Sequence, residues 1–230
     1  MKKPYITCHM VTSIDGKVTG EFLSCPETEV ATEKYYQINR DLESNGFICG
    51  RVTMEGSFTG GYYPDLSAYK SIDSREDYVA KHDKKFFAVS FDTHGKLGWK
   101  KDVIVDEDPG YGGAHIIEVM SEDVDGRYLA YLQKIGVSYI FAGKTSIDVN
   151  VALEKLVDLF DIKHLLLEGG SIINGAFQRA GVVDELSLVV VPIIASKNDK
   201  PLFMDATIEN YKQKSINTEN GVVCMRYIKD

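Results

Sequence analysis

The stretch HLLLEGGSIINGAF, residues 164–177, decides the fold. Leu165, Leu166 and Leu167 form an apolar run without polar alternation, the pattern of a strand covered on both faces. Gly169 and Gly170 then allow a tight turn and the close approach of another group. Ser171 stands where a helix cap belongs, and a helical pattern follows it. A helix N-terminus offers free N–H groups and the positive end of a dipole, so it is an anion site, most often for phosphate. An ordinary strand-to-helix turn would carry the same letters, and the rest of the chain must decide between the two.

Outward from this stretch, strand-like and helix-like segments alternate. Strands are expected at 5–11, 47–50, 85–91, 103–105, 116–119, 138–142 and 185–195, and helices at 27–44, 124–135, 148–160 and 171–180, the last closed by Gly181. Residues 211–217 and 222–228 read as a hairpin across Asn220-Gly221. The fold class is therefore α/β, with a mostly parallel, mixed central sheet flanked by helices and a C-terminal antiparallel hairpin. Segments 59–84 and 106–114 read as long surface loops. No repeat or low-complexity linker interrupts the chain, and residues 1–230 are read as a single domain.

Composition narrows the function. The chain has 230 residues, 44% hydrophobic and 26% charged, with a net charge of −8. An acidic chain of this kind lacks the basic surface of a general nucleic-acid binder. No apolar run approaches membrane-spanning length, and the first residues lack the apolar core of a secretion signal, so a cytoplasmic protein is expected. Cys8, Cys25, Cys49 and Cys224 are scattered, with no C-x-x-C pair, and are expected to be reduced. None of the five histidines has a partner at metal-ligand spacing, so no metal site is expected. There is no G-x-G-x-x-G, no P-loop, no G-x-S-x-G and no zinc-deaminase signature.

Three strand ends carry glycine with small polar residues: Gly50, Gly143 and Gly169-Gly170. One extended anionic ligand touching all three is the reading they favour together. Arg51 and Thr53 follow Gly50 and add a fixed cation and a hydroxyl; alone they would read as a surface arginine beside a helix cap. The first strand ends in Ser13-Ile14-Asp15-Gly16-Lys17, which places Ser13 and Asp15 at a strand's C-terminal end, where α/β proteins bind ligands. A plain turn is the alternative.

Ser13-Ile14-Asp15-Gly16-Lys17, Glu168-Gly169-Gly170, and the run from Gly181-Val182-Val183-Asp184-Glu185-Leu186 through Val191-Pro192-Ile193-Ile194 resemble the riboflavin-biosynthesis pyrimidine reductases, which share the dihydrofolate reductase-like fold. The resemblance implies an NADPH-dependent reductase acting on a small-molecule substrate, usually a homodimer, with no nucleic acid or membrane as partner. The reaction it implies is reduction of the ribosyl chain of 5-amino-6-(5-phosphoribosylamino)uracil or a related heterocycle. Cofactor contacts are then expected from Gly50, Arg51, Thr53, Ser90, Gly143, Gly169, Gly170 and Ser171, and substrate contacts from Ser13, Asp15 and Glu168. Asp15, or a water it holds, becomes the candidate catalytic proton donor. Pro64-Asp65-Leu66 with Arg75 offers an altered version of the motif that seats the substrate's ribose phosphate in the family. Gly50-Arg51-Val52-Thr53 looks like the G-R-x-T of dihydrofolate reductases, so dihydrofolate reductase proper stays open, as does a non-catalytic nucleotide-binding paralogue.

Overall fold

The structure, a computed structural model, describes residues 2–230. In chain order its regular elements are β1 (Tyr5–Thr12), α1 (Pro26–Asp41), β2 (Gly46–Gly50), α2 (Arg51–Met54), β3 (Phe87–Phe91), β4 (His115–Met120), α3 (Gly126–Ile135), β5 (Ser138–Phe141), α4 (Val149–Phe160), β6 (His164–Leu167), α5 (Ser171–Arg179), β7 (Glu185–Val190), β8 (Tyr211–Glu219) and β9 (Val222–Lys229). They fall into two compact units. One comprises Asn45–Lys163 with the residues up to Pro4; the other comprises Tyr5–Ser44 and His164–Asp230. Each is α/β, and all strands run parallel except in the C-terminal hairpin.

In the Asn45–Lys163 unit the strand order is β5-β4-β3-β2. Every residue of β4 is buried, as expected for a strand covered on both faces. Gly46 sits at φ +148, and a Cβ there would overlap the Phe87 carbonyl, so glycine is what lets β2 lie against β3. Asp125 and Asp148 cap α3 and α4 by accepting from backbone N–H groups of the first turn. These helices begin at Gly126 and Val149, one or two residues later than expected from the sequence, because the aspartates stand outside them as caps. No strand forms at 103–105. Val103 makes only an isolated bridge to His115, because β3 and β5 already occupy both edges of β4. The 59–84 loop is tied down at Tyr78, whose backbone exchanges two hydrogen bonds with Tyr139.

In the other unit the order is β6-β1-β7-β9-β8. The register runs Tyr5↔His164 to Cys8↔Leu167 on one side of β1, and Thr7↔Glu185 to Thr12↔Val190 on the other. α1 starts with Pro26 at its first position and Glu27 and Glu29 in its first turn, both suited to a helix N-terminus. It lays Ala31, with Tyr35 and Ile38, on a core of Phe22, Val189, Val191, Val222 and Cys224. The expected strand 185–195 ends at Val190. Val191 still donates to Thr12, but β1 turns away there and Pro192 has no N–H to give. Asn220 and Gly221 both have positive φ, 50 and 81, the conformation of a two-residue hairpin turn.

Candidate active site

The Ser13–Lys17 segment closes on itself. Gly16 N donates to Ser13 O and Ser13 N to Lys17 O, both at 3.0 Å. Ser13 is buried; its Oγ donates to Asp15 Oδ1 at 2.7 Å and accepts from Lys17 N at 2.9 Å. Asp15 is exposed, and Ala195 N also donates to its Oδ1 at 3.0 Å. The Ala195 amide first, then the Ser13 hydroxyl, hold the carboxyl below the usual carboxylate range, and the Lys17 charge adds to this. Asp15 is thus held in its ionised form at neutral pH.

At the end of β6, Glu168 is buried and its Oε1 accepts from Asn39 Nδ2 of α1 at 2.6 Å. Gly169 follows at φ +88, where a Cβ would crowd the Met10 thioether at 3.1–3.2 Å. Gly170, at φ −77 and ψ −162, is the cap residue of α5, and no side chain caps this helix. Ser171 was expected to do so. Instead it is the first helical residue, and its Oγ donates to Pro201 O at 2.5 Å. The first-turn N–H groups of α5 therefore keep their capacity to bind an anion.

A feature the sequence reading missed joins the turn to the helix. Segment 193–204 runs along both. Towards the turn, Ile14 N donates to Ile193 O at 2.9 Å, Val18 N to Lys200 O at 2.9 Å, and Leu202 N to Gly16 O at 2.9 Å. Towards α5, Met204 N donates to Ser171 O at 3.0 Å, and Asn174 Nδ2 donates to Leu202 O at 3.1 Å. A Cβ on Gly175 would overlap the Met204 carbonyl. The signal was in the sequence: a glycine inside a helix costs stability and marks close approach.

The remaining expected residues belong to the Asn45–Lys163 unit. Gly50 caps the single turn α2, which has no side-chain cap either. Arg51 Nη1 pairs with Glu55 at 2.5 Å, with both side chains about one-third exposed, 35% and 37%. Thr53, two residues on, is half-buried. Ser90 is wholly buried in β3, in register with Glu118 of β4. Gly143, at φ +139, follows β5, and a Cβ there would overlap the Ser146 carbonyl, so its own loop already requires glycine. Arg75 differs from expectation. Its guanidinium donates to the backbone carbonyls of Ile72, Glu122 and Val124 at 2.6–3.1 Å, which makes it an anchor for its loop. Asp65 caps the turn 66–68 through Ser67 N.

Two buried acids in this unit were also missed. Asp92 accepts from Lys96 N and Leu97 N, yet burial raises its pKa. Glu118 is fully buried and accepts from the Trp99 indole; burial, then the nearby Asp92, push it well above the usual range. Among the described residues no cluster of histidine, cysteine or acid could hold a metal. His9 stacks on Tyr35 at 4.2 Å and bonds to Ser187 Oγ and Tyr35 O, a structural role. None of the four cysteines is in a disulfide within the described residues. Burial holds the Cys8 thiol protonated.

Comparison with known proteins places this geometry. A family model described as the RibD C-terminal domain matches residues 4–225, spanning both units. The 2,5-diamino-6-ribosylamino-4(3H)-pyrimidinone 5′-phosphate reductase of Methanothermobacter thermautotrophicus is 31% identical over 204 residues, which is 88% of this chain and 84% of the relative. Among solved structures, a pyrimidine reductase-like protein from Corynebacterium diphtheriae has a TM-score of 0.69 at 17% identity, with 99% of this chain and 92% of that one covered. RibD from Acinetobacter baumannii has a TM-score of 0.67 at 18% identity; all but 1% of this chain is covered, and it spans 58% of that one. At such identities the likeness is one of fold, the dihydrofolate reductase-like α/β fold of these reductases.

Proposed function

The chain belongs to the RibD C-terminal domain family, and from that premise we propose that it is an NADPH-dependent reductase of riboflavin biosynthesis acting on a ribosylaminopyrimidine 5′-phosphate. The observation that carries this reading is the 31% identity, over 88% of the chain, to a reductase named for such a substrate. The first substrate to test is accordingly 2,5-diamino-6-ribosylamino-4(3H)-pyrimidinone 5′-phosphate; 5-amino-6-(5-phosphoribosylamino)uracil, implied by the motifs, is the second.

The residues present suit a dinucleotide. α5 opens without a side-chain cap, so Gly169, Gly170 and the first-turn N–H groups from Ser171 onward are assigned to the pyrophosphate. Arg51 and Thr53 are assigned to further cofactor phosphates, with Gly50, Ser90 and Gly143 as supporting positions. When bound, the nicotinamide supplies the hydride. Reduction of a ring-opened ribosylamine adds one hydride at C1′ and one proton at nitrogen. Ionised Asp15, fixed by Ala195 and Ser13, orients the water that delivers this proton. Lys17 places a cation in the same turn for the substrate phosphate, and Glu168, held by Asn39, offers the heterocycle a fixed acceptor.

The two units are proposed to act as one reductase domain, in a cytoplasmic homodimer. No helix among the described residues is long and apolar enough to cross a membrane. The test is direct: purified protein, NADPH, and each pyrimidine in turn, with dihydrofolate as the control. Turnover of a ribosylaminopyrimidine supports the reading. Turnover of dihydrofolate alone contradicts it, and NADPH binding without turnover of any of the three points to a non-catalytic paralogue.

A further inference from the structure

We propose that segment 193–204 is a positioning strap, and that Asn174 is the residue through which it sets the Ser13–Lys17 turn against the N-terminus of α5. The proposal rests on the functional reading above only in what the two ends are for; its mechanical content stands on the hydrogen bonds.

The first part of the strap bonds to the turn and the last part to the helix. Ile193 O, the Ala195 amide and Lys200 O serve the turn and the two residues after it. Lys200 N donates to Thr19 Oγ1 at 2.8 Å, extending that contact. Pro201 O accepts from Ser171, and Leu202 faces both ways, its N–H to Gly16 O and its carbonyl to Asn174. A single residue, Leu202, thus joins the substrate-side turn to the helix that begins at the glycine pair.

Asn174 is fully buried, and its Oδ1 has no hydrogen-bond partner among the described residues. A buried amide oxygen left unpaired costs stability. An aliphatic side chain of similar size would avoid that cost, so packing alone does not call for asparagine here. The other half of the amide is what the site uses: Nδ2 holds Leu202 O and lies 3.6 Å from where a Cβ on Gly169 would stand. Asn174 therefore holds the strap beside the glycine turn. Gly175 beside it admits the Met204 carbonyl onto the helix surface. These two residues fix the strap in register with α5.

The consequence is geometric. If the strap slides, the turn carrying Asp15 shifts relative to α5, while the anion-binding N–H groups of the helix stay intact. A displacement of about 1 Å between reacting groups costs up to about a hundredfold in rate.

The test is a double-mutant cycle with Asn174→Leu, which frees Leu202 O on the helix side of the strap, and Thr19→Val, which frees Lys200 N on the turn side. Each variant is expected to lower kcat about ten- to a hundredfold, with NADPH Kd and Tm near those of the wild type. The double variant is expected to be no slower than the slower single one, because both release the same strap. Hydrogen exchange supplies a readout independent of activity. In Asn174→Leu the Ile14 and Val18 amides, which donate to Ile193 O and Lys200 O, are expected to exchange faster, although Asn174 touches neither. Losses that multiply in the double variant, a loss confined to NADPH affinity, or unchanged exchange at Ile14 and Val18 would overturn the strap. A wild type that turns over neither pyrimidine would instead remove the proposed substrate, and the exchange result alone would then decide the strap.

Discussion

Asp15 carries the sharpest consequence at the scale of single residues. Its carboxyl is held ionised by the Ala195 amide and the Ser13 hydroxyl, so its contribution is charge and orientation. Asp15→Asn keeps the shape and one acceptor but loses the charge. The expected result is a fall in kcat of about a hundredfold with NADPH affinity unchanged, measured by steady-state kinetics. Wild-type turnover in the variant would leave Asp15 as a turn residue only. Arg51 is assigned to the cofactor but is already paired with Glu55, so the phosphate must compete for it. Arg51→Ala is expected to weaken NADPH roughly tenfold and NADH little, as read by titration; equal losses would show that Arg51 does not discriminate between them. The polar turn and the glycine pair were legible in the sequence because turn chemistry is local. Asn174 and Glu118 were not, because their roles depend on partners far along the chain: Leu202 for Asn174, and Trp99 and Asp92 for Glu118.

Among the elements, α5 shows what local pattern does and does not determine. The strand-glycine-helix order was readable, since Leu165 to Leu167 and the residues after Ser171 follow distinct periodicities. The capping role given to Ser171 was wrong: its hydroxyl is taken by Pro201, and no pattern within 164–177 announces that contact. Gly170 lies at φ −77, outside the left-handed region that favours glycine. Gly170→Val is expected to keep the fold by circular dichroism and to abolish NADPH binding by calorimetry, because a branched side chain would stand where the pyrophosphate meets the helix. Normal binding would move the phosphate cradle elsewhere. The 103–105 strand failed for the complementary reason. Its composition suits a strand, but an element pairs only where an edge is open, and strand order is a property of the whole unit.

For the whole molecule, the buried titratable groups set opposing pH responses. Burial lowers His9 from 6.5 to about 4 and likewise lowers His115 to about 4. The unfolded chain binds these protons below its own histidine pKa while the fold resists them. Their stabilisation is therefore complete above about 6.5 and is lost as pH falls towards 4, on the order of 3 kcal/mol for His9. Glu118 is shifted upward, so it acts in the other direction: it destabilises the fold increasingly as pH rises above the unfolded carboxyl value. Glu118→Gln should keep the acceptor for Trp99, raise Tm most at alkaline pH, and make no difference below about pH 4.5. His9→Gln should flatten the loss of Tm between pH 6.5 and 4. Thermal melts of the two variants across this range check both signs.

As proposed, this chain reduces a ribosylaminopyrimidine 5′-phosphate with NADPH. The most direct measurement is a single-substrate assay of the wild-type protein, following NADPH consumption with 2,5-diamino-6-ribosylamino-4(3H)-pyrimidinone 5′-phosphate and identifying the product by mass. The predicted result is stoichiometric NADPH oxidation with a product two mass units heavier, the ribityl compound. NADPH bound but unconsumed, with the pyrimidine recovered unchanged, would contradict it.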